Sequence, residues 1–335
     1  MRYLFVLTIL ILPRLALSQD WEDEQLFGPE NPGQTLRIIS STDTSFFEPI
    51  ISGFLQANPR IAINYFVTST AQIDATIRRD PAAFDVVISS AMDLQFKLVN
   101  DGYAMKLDDI NHPDWAQWRR SLFGFTTEPA AIVLNRQAFS NHTIPQTRQE
   151  LIQAMRARPE IFRNRLGTYD VRESGLGYLF ATQDARTSET FWRLMEVMGS
   201  LGLNLYCCSG DMIDDLIAGK ILVAYNVLGS YAAARKDDDK ILEIILPADF
   251  PTTMMRSGFA SSHTMLPETA EAFMRYLVNV QVETNNRSGF PLPPLNPVKD
   301  IESRSTISLS PALMTYLDAL KKKNFLQEWE NAVLQ

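Results

Sequence analysis

The sequence predicts an α/β protein of two domains, and three observations carry that expectation. A chain of 335 residues is more than one hydrophobic core usually holds and suits about two domains. Short aliphatic runs alternate with stretches of helical periodicity, the rhythm of largely parallel sheets covered on both faces. Hydrophobic residues make up 46 % of the chain and charged residues 21 %, which excludes disordered and collagen-like classes.

The elements follow in chain order. Arg2, the apolar run 4–12 (LFVLTILIL), and Ala16 and Ser18 at the −3 and −1 positions before Gln19 together read as a signal peptide over 1–18. The run falls well short of the roughly 20 apolar residues that span a bilayer. The mature protein is therefore expected to be soluble and in the periplasm, without a lipid anchor, since no Cys follows the cleavage point. A polar lead, 20–34, precedes a strand at 36–40 (LRIIS). Ser41-Thr42-Asp43-Thr44 then opens a helix whose apolar face is Phe46, Phe47, Ile50, Ile51, Phe54 and Leu55, stopped by Asn58-Pro59. A strand at 61–66, a helix at 71–79, a strand at 84–89 and a helix at 92–100 complete the first set.

A second set has strands at 130–135, 166–169, 221–226 and 241–246, with helices at 146–157, 175–183, 187–201 and 209–218. The last third holds a helix near 267–280, a Pro-rich connector at 291–297 and amphipathic helices from Pro311 onward. There is no internal repeat and no low-complexity tract.

Several strands end in small hydroxyl or amide residues with a helix directly after them. These are Ser40-Ser41-Thr42, Ser89-Ser90, Tyr169 with Ser174-Gly175, and Asn226 with Gly229-Ser230. Ligands of open α/β sheets bind beyond the carboxyl ends of strands, where helix N-termini favour an anion. Each Ser or Thr alone reads equally as an N-cap; the four sites together, spread over two sheets, point to a ligand cleft.

Charge and motifs narrow the function. The net charge is −8 and no basic block exceeds Lys321-Lys322-Lys323, so nucleic acid is not an expected partner. A bound anion must then be held by local dipoles and a few placed groups. The chain has no Gly-x-Ser-x-Gly elbow, no His-Glu-x-x-His, no Walker loop and no Gly-x-Gly-x-x-Gly, so catalysis is not expected. Asp237-Asp-Asp239 reads as a solvated turn and Glu128-Pro129 as a crossover. Cys207 and Cys208 are too few for a structural zinc site; they read as two small buried side chains or as a vicinal disulfide.

The segments Ser40-Ser-Thr-Asp43, 85–95 (DVVISSAMDLQ), 100–103 (NDGY), 168–170 (TYD), 181–185 (ATQDA) and 225–231 (YNVLGSY), in that order over 35–280, resemble the periplasmic solute-binding proteins of ABC transporters. The branch is the one that binds ferric iron, phosphonates or phosphoglycerates. The resemblance implies a two-lobe periplasmic binding protein type II fold with a ligand cleft between the lobes. The break at Thr127-Glu-Pro129 and the return at Pro247 set lobe one at 35–128 plus 247–335 and lobe two at 129–246.

It also implies a monomer that captures a small anionic solute, such as a phosphonate or a phosphorylated organic acid, for an inner-membrane ABC permease. Presentation of the ligand to a sensor kinase and capture of ferric iron are the alternatives. Ferric-binding members use adjacent tyrosines, whereas none of the ten tyrosines here adjoins another, and His112, His142 and His263 show no ligand spacing. No metal and no cofactor are expected. Oxyanion donors are then Ser41, Thr42, Ser89, Ser90, Thr127, Ser174, Gly175 and Ser230, with Asn226, Tyr169 and Tyr231 beside them. Asp43 caps its helix or receives a hydroxyl or amine at the ligand's far end. Arg172 and Arg235 either neutralise charge or are solvated.

Overall fold

The computed structural model describes residues 21–235, 240–282, 290–295 and 306–335; the expected signal peptide, Asp237–Asp239 and part of the Pro-rich connector lie outside them. Two sheets organise the chain. The first contains β1 (Asp23–Phe27), β2 (Gln34–Ser40), β3 (Ile61–Val67), β4 (Val86–Ser89), β5 (Gln117–Trp118), β6 (Leu122–Gly124) and β13 (Ser257–Ala260), in the order β1-β3-β2-β4-β13-β6-β5. β2 runs parallel to β3 and β4, while β1 and β13 pair antiparallel with β3 and β4.

Alternation along these strands assigns the two faces. Leu36, Ile38, Val86 and Ile88 meet Phe47, Ile50 and Phe54 of α1 (Thr44–Ala57) and Phe273, Met274 and Leu277 of α10 (Pro267–Val282). Ile39 and Val87 point the other way, to Ile73 and Ile77 of α2 (Thr70–Arg79) and Met92 and Phe96 of α3 (Met92–Asn100).

The second sheet has β7 (Glu128–Asn135), β8 (Leu166–Tyr169), β9 (Leu203–Tyr206), β10 (Val223–Leu228) and β11 (Leu242–Ile245), in the order β11-β7-β10-β8-β9. One face packs Ile132, Leu134 and Tyr225 against α4 (Arg148–Ala157) and α7 (Thr190–Ser200). The other packs Ala131, Val133 and Ala224 against Met212 and Ile213 of α8 (Ser209–Ile217). Both sheets are mixed rather than largely parallel: β1, β5 and β13 run against β2, β3 and β4 in the first, and β7 runs against β8, β9, β10 and β11 in the second, a direction that periodicity does not record.

Two adjacent strand segments carry the chain from the first sheet to the second and back. β7 begins at Glu128, and its first residues pair with β12 (Thr253–Met254) on the way back, Thr253 opposite Pro129 and Met254 opposite Glu128. At this crossing lies an ion pair without solvent exposure, Arg256 Nε to Glu128 Oε1 at 2.5 Å. Arg256 Nη1 also donates to Thr42 Oγ1 at 2.6 Å, and Thr126 Oγ1 donates to Glu128 Oε1 at 3.1 Å. Ser230 donates to the other carboxylate oxygen of Glu128. Every charged atom of the pair is thus hydrogen-bonded, the condition under which buried charge is tolerated.

A second buried network lies wholly on the far side of the second sheet. Arg148 Nη2 meets Asp184 Oδ1 at 2.9 Å, and Tyr225, Asn226 and Thr252 all donate to the Asp184 carboxylate. Residues 319–335 were expected in lobe one, but the helix α11 (Ala319–Val333) packs on α7 of the second sheet. Phe325, Trp329, Ala332 and Val333 form one apolar stripe, and the core that receives it is that of the second sheet.

Two outcomes follow from these buried charges. Glu128→Ala leaves Arg256 without its counter-charge and should cost about 3–5 kcal/mol in urea denaturation. Asp93, buried in the first turn of α3, has its carboxyl pushed up to about 7 by burial, against the opposing pull of the Leu94 N–H. Between about pH 4 and 7 the native state keeps a proton that an unfolded Asp has released, so stability falls as pH rises through that window and levels off above it. Asp93→Asn should remove this slope, which is at most about 1.4 kcal/mol per pH unit.

Candidate functional site

The first-sheet strands β2, β3 and β4 end on one side in Ser40-Ser41, Val67-Thr68 and Ser89-Ser90, each followed by a helix. From the other lobe come the end of β8, the start of α6 (Gly175–Thr187) and the start of α8. Between them is a cavity of about 390 Å³. Its first-lobe wall includes Glu22, Ser41, Asp43, Ser69, Thr70 and Ser90, and its second-lobe wall Tyr169, Ser174, Cys207, Cys208, Asp211 and Tyr231.

Helices α1, α2, α3, α6 and α8 start at or beside this cavity, and their capping differs. Ser69 and Ser174 cap α2 and α6 through their hydroxyls. Asp43, Ala91 and Cys208, at the starts of α1, α3 and α8, make no side-chain cap bond. At α3 the first-turn donors are already taken, Met92 N–H by Ser90 O and Leu94 N–H by the Asp93 carboxylate, so the termini of α1 and α8 are the ones that keep donor groups available to an anion. Ser41 Oγ accepts the Ser90 N–H at 3.1 Å and lies 3.3 Å from Ser90 Oγ, so the two hydroxyls form one donor pair on the first-lobe wall.

The lobes touch across the cavity in two places. Thr70 Oγ1 accepts the N–H groups of Gly175 at 2.9 Å and Leu176 at 3.3 Å, so a first-lobe hydroxyl caps a second-lobe helix. The junction has no spare room: a Cβ on Gly175 would lie 2.9 Å from Leu94 Cδ1 and 3.2 Å from Ala91 Cβ. Tyr231 donates to Asp43 Oδ1 at 3.1 Å and stacks on Phe46 with ring centroids 4.6 Å apart.

Among the described residues, the walls carry acids but no lysine or arginine. Burial raises the Glu22 carboxyl, with the charges of Asp43 and Asp211 adding to it. Asp211 is raised by burial and by the nearby Asp214, Asp215 and Asp43. Burial is also what raises the phenols of Tyr169 and Tyr231, although Arg256 opposes the shift, so both phenols are neutral hydrogen-bonding groups at neutral pH. Tyr169 Oη lies 2.5 Å from Ser209 Oγ.

Of the sequence-predicted site residues, the structure brings Ser41, Asp43, Ser90, Tyr169, Ser174 and Tyr231 to the cavity wall. Thr42 is buried behind it on Arg256, and Ser230 is turned to Glu128, because the charges at the crossing claim both hydroxyls. Ser89 Oγ accepts the Ala91 N–H at 3.1 Å and shapes the turn into α3. Gly175 spends its N–H on Thr70, Thr127 sits at the crossing beside Glu128, and Asn226, at φ 63°, belongs to the Asp184 network.

Asp43 does not cap its helix; it faces Tyr231. Arg172 pairs with Asp170 and Arg235 with Asp214, both away from the cavity. The cysteines are not two small buried side chains: they form a vicinal disulfide, with Cys207 exposed and Cys208 half-buried. Ser69, Thr70 and Ser209 escaped the sequence reading although they too follow strands and open helices. Glu22 carries no sequence signal; its N–H donates to Val67 O at 2.9 Å, which sets it at the end of β3.

No protein-family profile matches the sequence, and no curated protein is significantly similar to it. Solved structures are similar over nearly the whole chain. A substrate binding protein of an ABC transporter from Agrobacterium tumefaciens shares 29 % identity, covers 93 % of this chain and 98 % of its own, and superposes with a TM-score of 0.86. The periplasmic binding protein AfuA from Actinobacillus pleuropneumoniae, solved with fructose-6-phosphate, shares 14 % identity over 90 % of this chain and 99 % of its own, at a TM-score of 0.69. Iron-bound HitA from Pseudomonas aeruginosa shares 13 % identity over 89 % and 99 %, at 0.65. The fold is that of the periplasmic binding proteins, and these neighbours are binding proteins, not enzymes. No helix among the described residues is long and apolar enough to cross a membrane.

The cross-cleft cap is open to test. Thr70→Val removes the acceptor of two second-lobe N–H groups and should widen the solute-free protein, read as a larger radius of gyration in small-angle scattering. Thr70→Ser, which keeps the acceptor, should scatter like the parent.

Proposed function

We propose that this chain is an extracytoplasmic solute-binding protein that captures a small anionic solute for an ABC transporter. The observation that carries this reading is the meeting, at one cavity between the two sheets, of the N-termini of α1 and α8, which lack side-chain caps, and the Ser41–Ser90 hydroxyl pair. An oxyanion such as a phosphate or phosphonate group takes up these donors, and its charge strengthens each bond. The acids Glu22, Asp43 and Asp211 then accept hydroxyl or amine donors from the rest of the solute. A phosphorylated or phosphonate compound that also carries such donors suits both sets of groups.

The likeness to transporter-linked binding proteins supports export to the periplasm and delivery to a membrane permease. Ferric capture is less well supported. It needs free tyrosine oxygens, whereas no two tyrosines adjoin, and the Tyr169 and Tyr231 hydroxyls are engaged by Ser209 and Asp43.

A thermal-shift screen of phosphate, phosphonates, phosphoglycerates, sugar phosphates, carboxylates and Fe(III) tests the reading. A solute at 100 times its dissociation constant adds about 2.7 kcal/mol to the native state. The best phosphorylated or phosphonate solute should lose roughly 1–3 kcal/mol of binding in Ser90→Ala by calorimetry, the usual cost of a hydrogen bond to a charged group. Stabilisation by Fe(III) alone, or Ser90→Ala binding with parental affinity, would refute the assignment.

A further inference from the structure

The start of α8 holds a cluster whose two sulfurs solute capture does not use, although its carboxylate, Asp211, lines the same cavity. Cys207, Cys208 and Asp211 each present a ligand atom to a common point, all three lying within 4.8 Å of one another. Cys207 Sγ lies 3.5 Å from Asp211 Oδ2. All three residues line the inter-lobe cavity, so the cluster is reached from solvent by the same route as a solute. The carboxylates of Glu22 and Asp43 are near enough to interact with Asp211 electrostatically, which makes this end of the cavity attractive to a cation. The sulfurs, however, are joined to each other, and a disulfide offers no thiolate to a metal.

We propose that Cys207, Cys208 and Asp211 form a redox-gated binding site for a thiophilic divalent cation of the zinc class, shut as the disulfide and open as the dithiol. A thiol reductant opens it. The S–S bond breaks, two reductant thiols become one disulfide, and their two protons end on Cys207 and Cys208. On binding, both cysteines release those protons to solvent, and two sulfur–metal bonds and one carboxylate–metal bond form.

Two thiolates and one carboxylate are ordinary zinc donors, and three protein ligands leave a fourth tetrahedral position facing the cavity. The neighbouring backbone is held independently of the S–S bond. Ser209 Oγ is fixed by Tyr169 Oη and by the Leu228 N–H, so opening the disulfide leaves the start of α8 in place.

The test uses the full chain and zinc alone, and its outcome does not depend on whether any solute binds. The native protein is reduced, freed of reductant without oxygen, and titrated with Zn2+ against a chromogenic chelator, with iodoacetamide labelling read by mass spectrometry. Reduction should expose two alkylatable thiols without loss of the thermal unfolding transition. The reduced chain should take up one Zn2+ that the oxidised chain and Cys207→Ser/Cys208→Ser do not. Asp211→Asn should still be reducible but bind Zn2+ more weakly, by more than the roughly tenfold that even an outer partner costs. Equal Zn2+ uptake before and after reduction, no thiols released from the folded chain, unfolding on reduction, or unchanged affinity in Asp211→Asn would each overturn the proposal.

Discussion

The ion pair between Arg256 and Glu128 is the constraint on which the rest of the molecule depends. It sits where the chain crosses between the sheets and crosses back, and its partners come from both sides: Thr42 before α1, and Ser230 at the start of α9 (Gly229–Ala233). Such a pair adds little net stability, because desolvation consumes most of the attraction. Its contribution is registry. Each carboxylate oxygen and guanidinium nitrogen has one place where it is satisfied, so the two crossing strands have one alignment. The Arg256 guanidinium also stands 5.6 Å from the Tyr231 ring, so the pair positions part of the cavity wall without reaching the cavity.

If the proposed anionic solute is what the cavity takes, an acidic chain must set opposite fields close together to hold it. Here the positive contribution is main-chain dipole and the negative one is side-chain carboxylate, and the two lie on the same cavity. Main-chain donors are fixed by the helices and cost no side-chain entropy to order. On the proposed reading the carboxylates, Glu22 and Asp43 on the first-lobe wall and Asp211 on the second, select what the rest of the solute must offer. Recognition of this kind discriminates against a bare anion of the same charge, because the acids repel it without return.

The elements with strong periodicity were legible in the sequence. α1, α3 and β8 lie where the apolar pattern puts them, since a buried stripe or an alternating strand leaves a direct mark on residue order. β1, β6 and β13 were not, because short strands rich in Ser, Gly and acids pair through backbone groups that any residue supplies. The site was half legible. Strand-end hydroxyls marked the right side of each sheet, but sequence order cannot tell a hydroxyl facing the cavity, such as Ser90, from one claimed by a buried charge, such as Ser230. That distinction depends on Glu128, 102 residues from Ser230, whose burial against Arg256 leaves no pattern in residue order. The placement of α11 was hidden for a related reason, since an amphipathic stripe records that a face is buried but not which sheet buries it.

The cap that Thr70 places on α6 has a consequence for affinity. Both N–H groups are as well served by water as by a hydroxyl, so the cap contributes on the order of 1 kcal/mol, and the closed arrangement outweighs the open one by less than about tenfold through it. The protein in that case samples both arrangements before any solute arrives. The dissociation constant it displays is then the intrinsic one divided by the fraction already closed. A substitution at Thr70 would therefore retune by the same factor the apparent affinity for every solute that does not touch residue 70 itself.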